Sequence, residues 1–297
     1  MCTRMAAITG DEGWLEPEKN VKTLILEHRM AANRLGFLPL WDALSGVDRL
    51  QTGLRDGSLP GLRFFSHLIL PLVKAQRVGD RFAVASIVRK NSPLLETETL
   101  EASGSDQSRH MEKAREAMKA LTDLWSEGQT PTFLQVLRTV YEGGLFELPE
   151  NLKPFVGHVA ETTEQREETE DDKSDEIVAW RRFLETSFDQ IERYTPYIQG
   201  EAQYDTHQGI KGLEFLRVCV IMDDSEARGF MFSYDKLFGA KEGQETSVDR
   251  TKRLFYVTCS RAEDGLALVA YTLKPGEVLN YVMREGWFRE DEIEVRG

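Results

Sequence analysis

The sequence predicts an α/β chain whose α/β layer is interrupted by a mostly helical insertion. Three observations carry that expectation. Short apolar runs bounded by polar residues stand near both ends: "VKTLILEH" (Val21–His28), "RVCVIMDD" (Arg217–Asp224) and "GLALVAYT" (Gly265–Thr272). The last two flank a run of helix formers, so strand and helix alternate there. The residues between the N-terminal and C-terminal strands show 3.6-residue periodicity instead. Three segments follow: 1–60 as the first part of the α/β domain, 61–200 as the helical insertion, and 201–297 as the remainder of the α/β domain.

Each element has its own signal. Residues 1–20 are mixed and rich in Gly and Glu. Val21–His28 reads as a short buried strand, and "RMAANRLGFLPLWDAL" (Arg29–Leu44) as the helix after it. "GLRFFSHLILPLVKAQRVGD" (Gly61–Asp80) puts Phe64, Phe65, Leu68, Ile69 and Leu72 on one face, with Pro71 bending the helix. Asn91–Ser108 is a loop by composition. Met111, Met118, Leu121 and Trp125 recur at helical spacing. "TPTFLQVLRTVYEGG" opens with Pro131 suited to a first turn and closes on Gly-Gly. The acidic run Glu161–Glu176 holds no apolar residue and reads as a solvated linker. After it Ser174 is expected to cap a helix whose stripe is Ile177, Trp180, Leu184, Phe188 and Ile191. Asp249–Ala262 is the last helix before the C-terminal strand.

Bulk properties narrow the class. With 297 residues, 41% hydrophobic and 29% charged, the chain can bury a sizeable core. A formal charge of −13 argues against a generally basic nucleic-acid binder. It leaves room for a local basic groove, because charges act only over a Debye length of about 8–10 Å. Cys2, Cys219 and Cys259 are scattered without metal-ligand spacing, so no metal site is expected, and buried free thiols in a reducing cytoplasm are. No apolar run approaches the roughly 20 residues of a membrane span, so a cytoplasmic protein without membrane partners is the expectation.

Two motifs carry chemistry. "THQGIKGLEF" (Thr206–Phe215) resembles motif V of the UvrD/Rep-like superfamily 1 helicases, and "RLFYVTCSRA" (Arg253–Ala262) resembles their motif VI. The two stand in order, separated by a strand and a loop. The resemblance implies a RecA-like parallel-sheet domain (2A) interrupted by a 2B-like helical subdomain. It implies that Arg261 meets the charge developing on a γ-phosphate, with Arg253 a second candidate near the phosphates. A guanidinium supplied across a domain cleft suits that role. Glu214 is implied at the ribose hydroxyls, with Gly212 admitting the backbone and Lys211 near phosphate. Thr206, His207 and Gln208 are implied on the DNA side, as short donors to phosphate oxygens. Two positions depart from the family pattern. Gln208 stands where the family has His, and Ser260 where it has Thr.

The rest of the engine is missing from the sequence. No GxxxxGK[ST] occurs, and the Asp-Glu pairs at 11–12, 175–176 and 291–292 do not follow apolar strands. The cofactors ATP and Mg²⁺ are therefore expected only together with an N-terminal RecA-like domain, supplied in cis or trans. Single-stranded or partly duplex DNA is the expected partner, and similar helicases working with nucleases make a nuclease a candidate partner. On its own the chain is expected to be inactive. The alternative is a non-catalytic protein-interaction module derived from a helicase. The aromatic segment Asp223–Lys241 reads as a loop packed on the core.

Overall fold

The computed structural model describes residues 1–96, 107–157, 171–207, 209–210, 212–227 and 232–296. Helices of eight or more residues are numbered here in chain order with the strands. They are α1 (Cys2–Thr9), β1 (Lys22–Ile25), α2 (His28–Leu35), α3 (Leu38–Ser45), α4 (Asp48–Asp56), α5 (Leu70–Arg77), α6 (Arg81–Asn91) and α7 (Gln107–Asp123). There follow α8 (Phe133–Gly143), α9 (Asp171–Leu184), α10 (Gln190–Ile198), β2 (Tyr204–Thr206), β3 (Phe215–Asp223), α11 (Glu245–Cys259), β4 (Ala262–Tyr271) and α12 (Pro275–Arg284). The chain divides into two compact units, Met1–Arg34 with Gln199–Gly297, and Leu35–Ile198.

The first unit is built on a four-stranded, all-parallel sheet of order β2-β1-β3-β4. Its register pairs Thr23 with Tyr204, Lys22 with Val218, and Val218 with Leu266. Val218 to Met222 are buried without a break, as a central parallel strand covered on both faces requires. β4 lies at an edge and buries only Gly265 and Ala267 fully. Residues 1–20, featureless in the sequence, fold as cover for this sheet. Trp14 is completely buried, and a Cβ on Gly265 would stand 2.8 Å from its ring, so only glycine lets the indole lie there. Asp11 holds the segment down by accepting from Arg217 through both carboxylate oxygens, one bond measuring 2.6 Å, and from the Gly13 amide at 2.9 Å. Those bonds keep the Asp11 carboxyl below the usual carboxylate range. Cys219 is buried and Cys259 half-buried; burial pushes both thiols up to about 12.

The second unit is helical and centred on aromatic rings. Phe133 stacks near Phe183 at 4.4 Å between centroids, and Phe65, Phe188 and Trp180 close around them. Pro71 acts as expected but with a specific geometry. The preceding Phe64–Ile69 winds as a π-helix, in which the Leu70 amide reaches the Phe65 carbonyl, five residues back. A proline ring crowds the preceding turn and removes one amide, and widening that turn relieves both. α8 begins two residues later than Pro131 suggests. Thr132 caps it in a reciprocal box with Gln135, and Gly144 ends it at φ 59°.

Several expectations are corrected here. Residues 35–60 group with the helical unit, not with the sheet. The Leu40 amide donates to buried Gln190 at 2.9 Å, and the Tyr194 hydroxyl donates to the Leu54 carbonyl at 2.7 Å, which anchors α3 and α4 to α10. Gly36, at φ 83°, breaks the single helix expected over Arg29–Leu44 into two. Ser174 lies inside α9 and does not cap it. Ile177 and Met111 are exposed, and their helices bury Phe183 and the small pair Ala114 and Ala117 instead. Of the acidic run, residues 161–170 lie outside the described residues. No helix among the described residues is long and apolar enough to cross a membrane.

Candidate functional site

Parallel pairing sorts the sequence-predicted residues onto two edges of the sheet. Thr206 ends β2 beside Ile25 at the carboxyl edge. Phe215 and Ala262 open β3 and β4 at the amino edge, paired with each other. The segment Thr206–Phe215 therefore crosses from one edge to the other. Its two halves do not share a site.

At the amino edge the motif residues converge. Ile210 is fully buried and accepts from the Leu213 amide at 3.0 Å, forming a tight turn. Gly212 occupies that turn at φ 82° in open space, a conformation glycine adopts without steric cost. Arg261 follows the end of α11, and its guanidinium is held in three directions. Nε donates to the Val257 carbonyl at 3.0 Å, Nη2 to the Ser260 hydroxyl at 3.1 Å, and Nη1 to the Leu213 carbonyl at 3.2 Å. A cation on the free carbonyls of a helix C-terminus is favourably placed. The backbone reinforces the junction, the Phe215 amide donating to the Arg261 carbonyl at 2.8 Å. Glu214 is exposed immediately beside Leu213. The structure thus brings Arg261, Gly212 and Glu214 to one place.

Ser260 is the residue whose role the sequence did not reveal. Its hydroxyl donates to the Val257 carbonyl at 3.0 Å and accepts from Arg261, so it orients the guanidinium. The departure from the family's Thr keeps the hydroxyl, which was the available signal. Arg253 is not brought to Arg261. It sits on the exposed face of α11 with Asp249 and Tyr256, about two helical turns away. Lys211 lies outside the described residues.

The carboxyl edge differs from what the motif implied. Thr206 is 4% exposed and its hydroxyl accepts from the Gly209 amide at 3.0 Å. His207 is completely buried. Its amide donates to the Ile25 carbonyl at 2.8 Å, and its Nδ1 lies 2.9 Å from the Tyr234 hydroxyl. Burial pushes the imidazole down to about 4, outweighing the opposite influence of the Leu24 backbone. A DNA-facing His207 is therefore corrected to a neutral core residue, edge-to-face with Tyr234. Gln208 lies outside the described residues. Tyr234 and Phe238 are core, as expected of that aromatic segment.

The two aspartates ending β3 are engaged by their own loop. Asp223 accepts from the amides of Ser225 and Glu226 at 3.1 and 3.0 Å. Asp224 accepts from the amides of Tyr234 and Asp235, both at 2.9 Å, and from the Ser233 hydroxyl at 2.5 Å. Among the described residues no group of three or more His, Cys, Asp or Glu is arranged to hold a metal ion. No protein-family model matches the chain, and no curated protein gives a significant match to it.

Proposed function

We propose that this chain is the C-terminal portion of a UvrD-like ATP-dependent DNA helicase, a RecA-like 2A domain carrying a 2B-like helical insertion. The observation that carries the reading is the tie between the two motifs at the amino edge, where Arg261 of one donates to Leu213 of the other, next to Glu214. Three of the guanidinium's five N–H groups are used locally, which leaves an oriented cation with donors to spare. Beside it the exposed carboxylate of Glu214 has the chemistry to accept from vicinal hydroxyls. A nucleoside triphosphate fits that pair, with Arg261 facing the γ-phosphate and Glu214 the ribose.

Bound ATP would supply the phosphoryl group passed to water. This chain's own part is to orient the cation that meets the developing charge. The residues here fit the nucleotide, and among the described residues no group of three or more His, Cys, Asp or Glu could hold Mg²⁺, so the metal and the phosphate loop belong to the N-terminal partner domain in this reading. Leu213 and Leu216 beside the site are 51% and 57% exposed, an apolar fringe suited to a covering domain. DNA contact at the carboxyl edge rests on exposed Gly209, since His207 is withdrawn from it.

The test joins this chain to an N-terminal RecA-like half and follows DNA-stimulated ATP hydrolysis. Arg261→Ala is expected to lower kcat by about a thousandfold or more. An unchanged kcat would remove the arginine from the chemistry and leave the protein-interaction module as the better account.

A further inference from the structure

The helical unit contains a charge anomaly. Residues 57–95 hold six cations (Arg63, Lys74, Arg77, Arg81, Arg89 and Lys90) against one acid, Asp80, a net +5 in a chain whose total is −13. All six are exposed. Among the described residues only Arg77 has an ion-pair partner, Glu192 at 2.5 Å. Asp80 does not neutralise its neighbours outright, because its carboxylate caps α6 by accepting from the Ala83 amide at 2.9 Å. The other five have no ion-pair partner among the described residues.

Three of them lie along the exposed half of one helix, Arg81 and Lys90 on its two flanks and Arg89 between them. On α6 the exposed residues are Arg81, Phe82, Ala85, Ser86, Arg89, Lys90 and Asn91, the first six forming two adjacent rows at i, i+4 spacing. Val88 is the one fully buried residue of this helix, and Ala83, Val84 and Ile87 are half-buried. Eight residues separate Arg81 from Arg89, about 12 Å along the axis, roughly the rise of three or four stacked nucleotides. Between them Ala85 and Ser86 leave the surface low, so a chain can approach the helix closely. Phe82 stands 85% exposed at the start of this face, with Val78 79% exposed in the preceding turn. A phenyl ring left in water, among cations that have no ion-pair partner among the described residues, is an unfavourable arrangement unless a partner covers it.

The chemistry of that partner can be read from the face. Cations at both ends ask for separated negative charges, and the ring asks for a flat apolar surface between them. A polynucleotide strand offers both, phosphates for the cations and a base for the ring. A lipid surface would call for a continuous apolar stripe, and α6 presents a single ring flanked by small and charged residues. We propose that the outward face of α6 binds single-stranded nucleic acid, with Phe82 stacking on a base and Arg81, Arg89 and Lys90 neutralising the flanking phosphates. The site lies in the helical unit and does not depend on Arg261 or Glu214, so it stands or falls separately from the nucleotide reading.

The experiment is fluorescence anisotropy of the full chain with a labelled oligo-dT of about 16 nucleotides, over a salt series. Phe82→Ala is expected to weaken binding about 5- to 100-fold, while Phe82→Trp retains it. Arg89→Glu with Lys90→Glu is expected to flatten the slope of log affinity against log salt by about 1.4. Circular dichroism checks that these exposed substitutions leave the fold intact. Wild-type affinity and slope in both variants would overturn the proposal, as would no binding by the unmodified chain. So would a duplex bound equally well without dependence on Phe82. Phe82-dependent binding to phosphatidylserine vesicles, or Phe82-dependent self-association, in place of oligonucleotide binding would assign the face to a membrane or to a second copy and overturn it equally.

Discussion

The ten residues Thr206–Phe215 start and finish in opposite surroundings. At the carboxyl edge, Thr206 and His207 have lost water, the Thr206 hydroxyl turning to the Gly209 amide and His207 Nδ1 to the Tyr234 hydroxyl. At the amino edge, Gly212, Leu213 and Glu214 remain exposed, and what orders them is a cation arriving from the next helix. The same polar residue types thus do structural work at one end and present chemistry at the other. A motif match specifies residue type and spacing but not exposure, and exposure decides which of its members can touch a ligand.

The largest effect that could break this contrast is expected at His207. With the imidazole held at about 4 against an ordinary 6.5, the unfolded chain takes up a proton that the folded chain refuses. The contribution is whole above pH 6.5 and is lost as the pH falls from 6.5 towards 4, on the order of 3 kcal/mol in all. Urea titrations of the native chain and of His207→Gln at pH 7 and at pH values near 4.5 are expected to show a steeper acid loss in the native chain. Parallel losses in both would mean that the ring is open to water, and would return His207 to the list of DNA contacts.

A smaller effect is expected at Gly212. Forcing alanine into φ 82° costs about 1 kcal/mol even though a Cβ would meet nothing there. Its interest lies in direction. Gly212→Ala is expected to lower the ATPase of the joined halves by more than its loss in Tm accounts for, because the strain displaces the Leu213 carbonyl from Arg261. Equal activity at full occupancy of the fold would uncouple the turn from the guanidinium. The smallest effect belongs to Ser260. Removing its hydroxyl with Ser260→Ala takes one of three restraints from Arg261, an expected loss of about fivefold in kcat, with Ser260→Thr neutral. A threonine as damaging as alanine would show that the site depends on shape there, not on the hydroxyl.

The α/β layer was legible because β3 is a continuous apolar run, as a parallel strand covered on both faces must be, and because β1 and the stretch Gly265–Tyr271 of β4 are short apolar runs too. β2 escaped notice. With three residues, "YDT", it has no periodicity to detect and exists because β1 offers it an edge. The boundary near residue 60 failed for a related reason. Residues 38–56 look like any helix after a strand, and only the bonds from Gln190 and Tyr194, some 140 to 150 residues later, assign them to the helical unit. At the site, the proximity of Arg261 and Glu214 was anticipated through the motifs. The burial of His207 was not, because a histidine beside polar neighbours gives no sign that Tyr234, 27 residues on, will close over it. The basic face of α6 was hidden by arithmetic, since a total of −13 conceals a stretch of opposite sign.

The pairing of β1 with β2 sets an order of events. Gln203 bonds Thr23 across 180 residues, and nearly all of that separation is the helical unit. Closing so long a loop in an unstructured chain is slow, whereas a helical unit can condense from local contacts first and shorten the effective loop. The insertion is therefore a timer for the sheet around it. β1 can pair with β3 only after the whole of 35–198 has been synthesised, and until then its apolar run waits without a strand on either side.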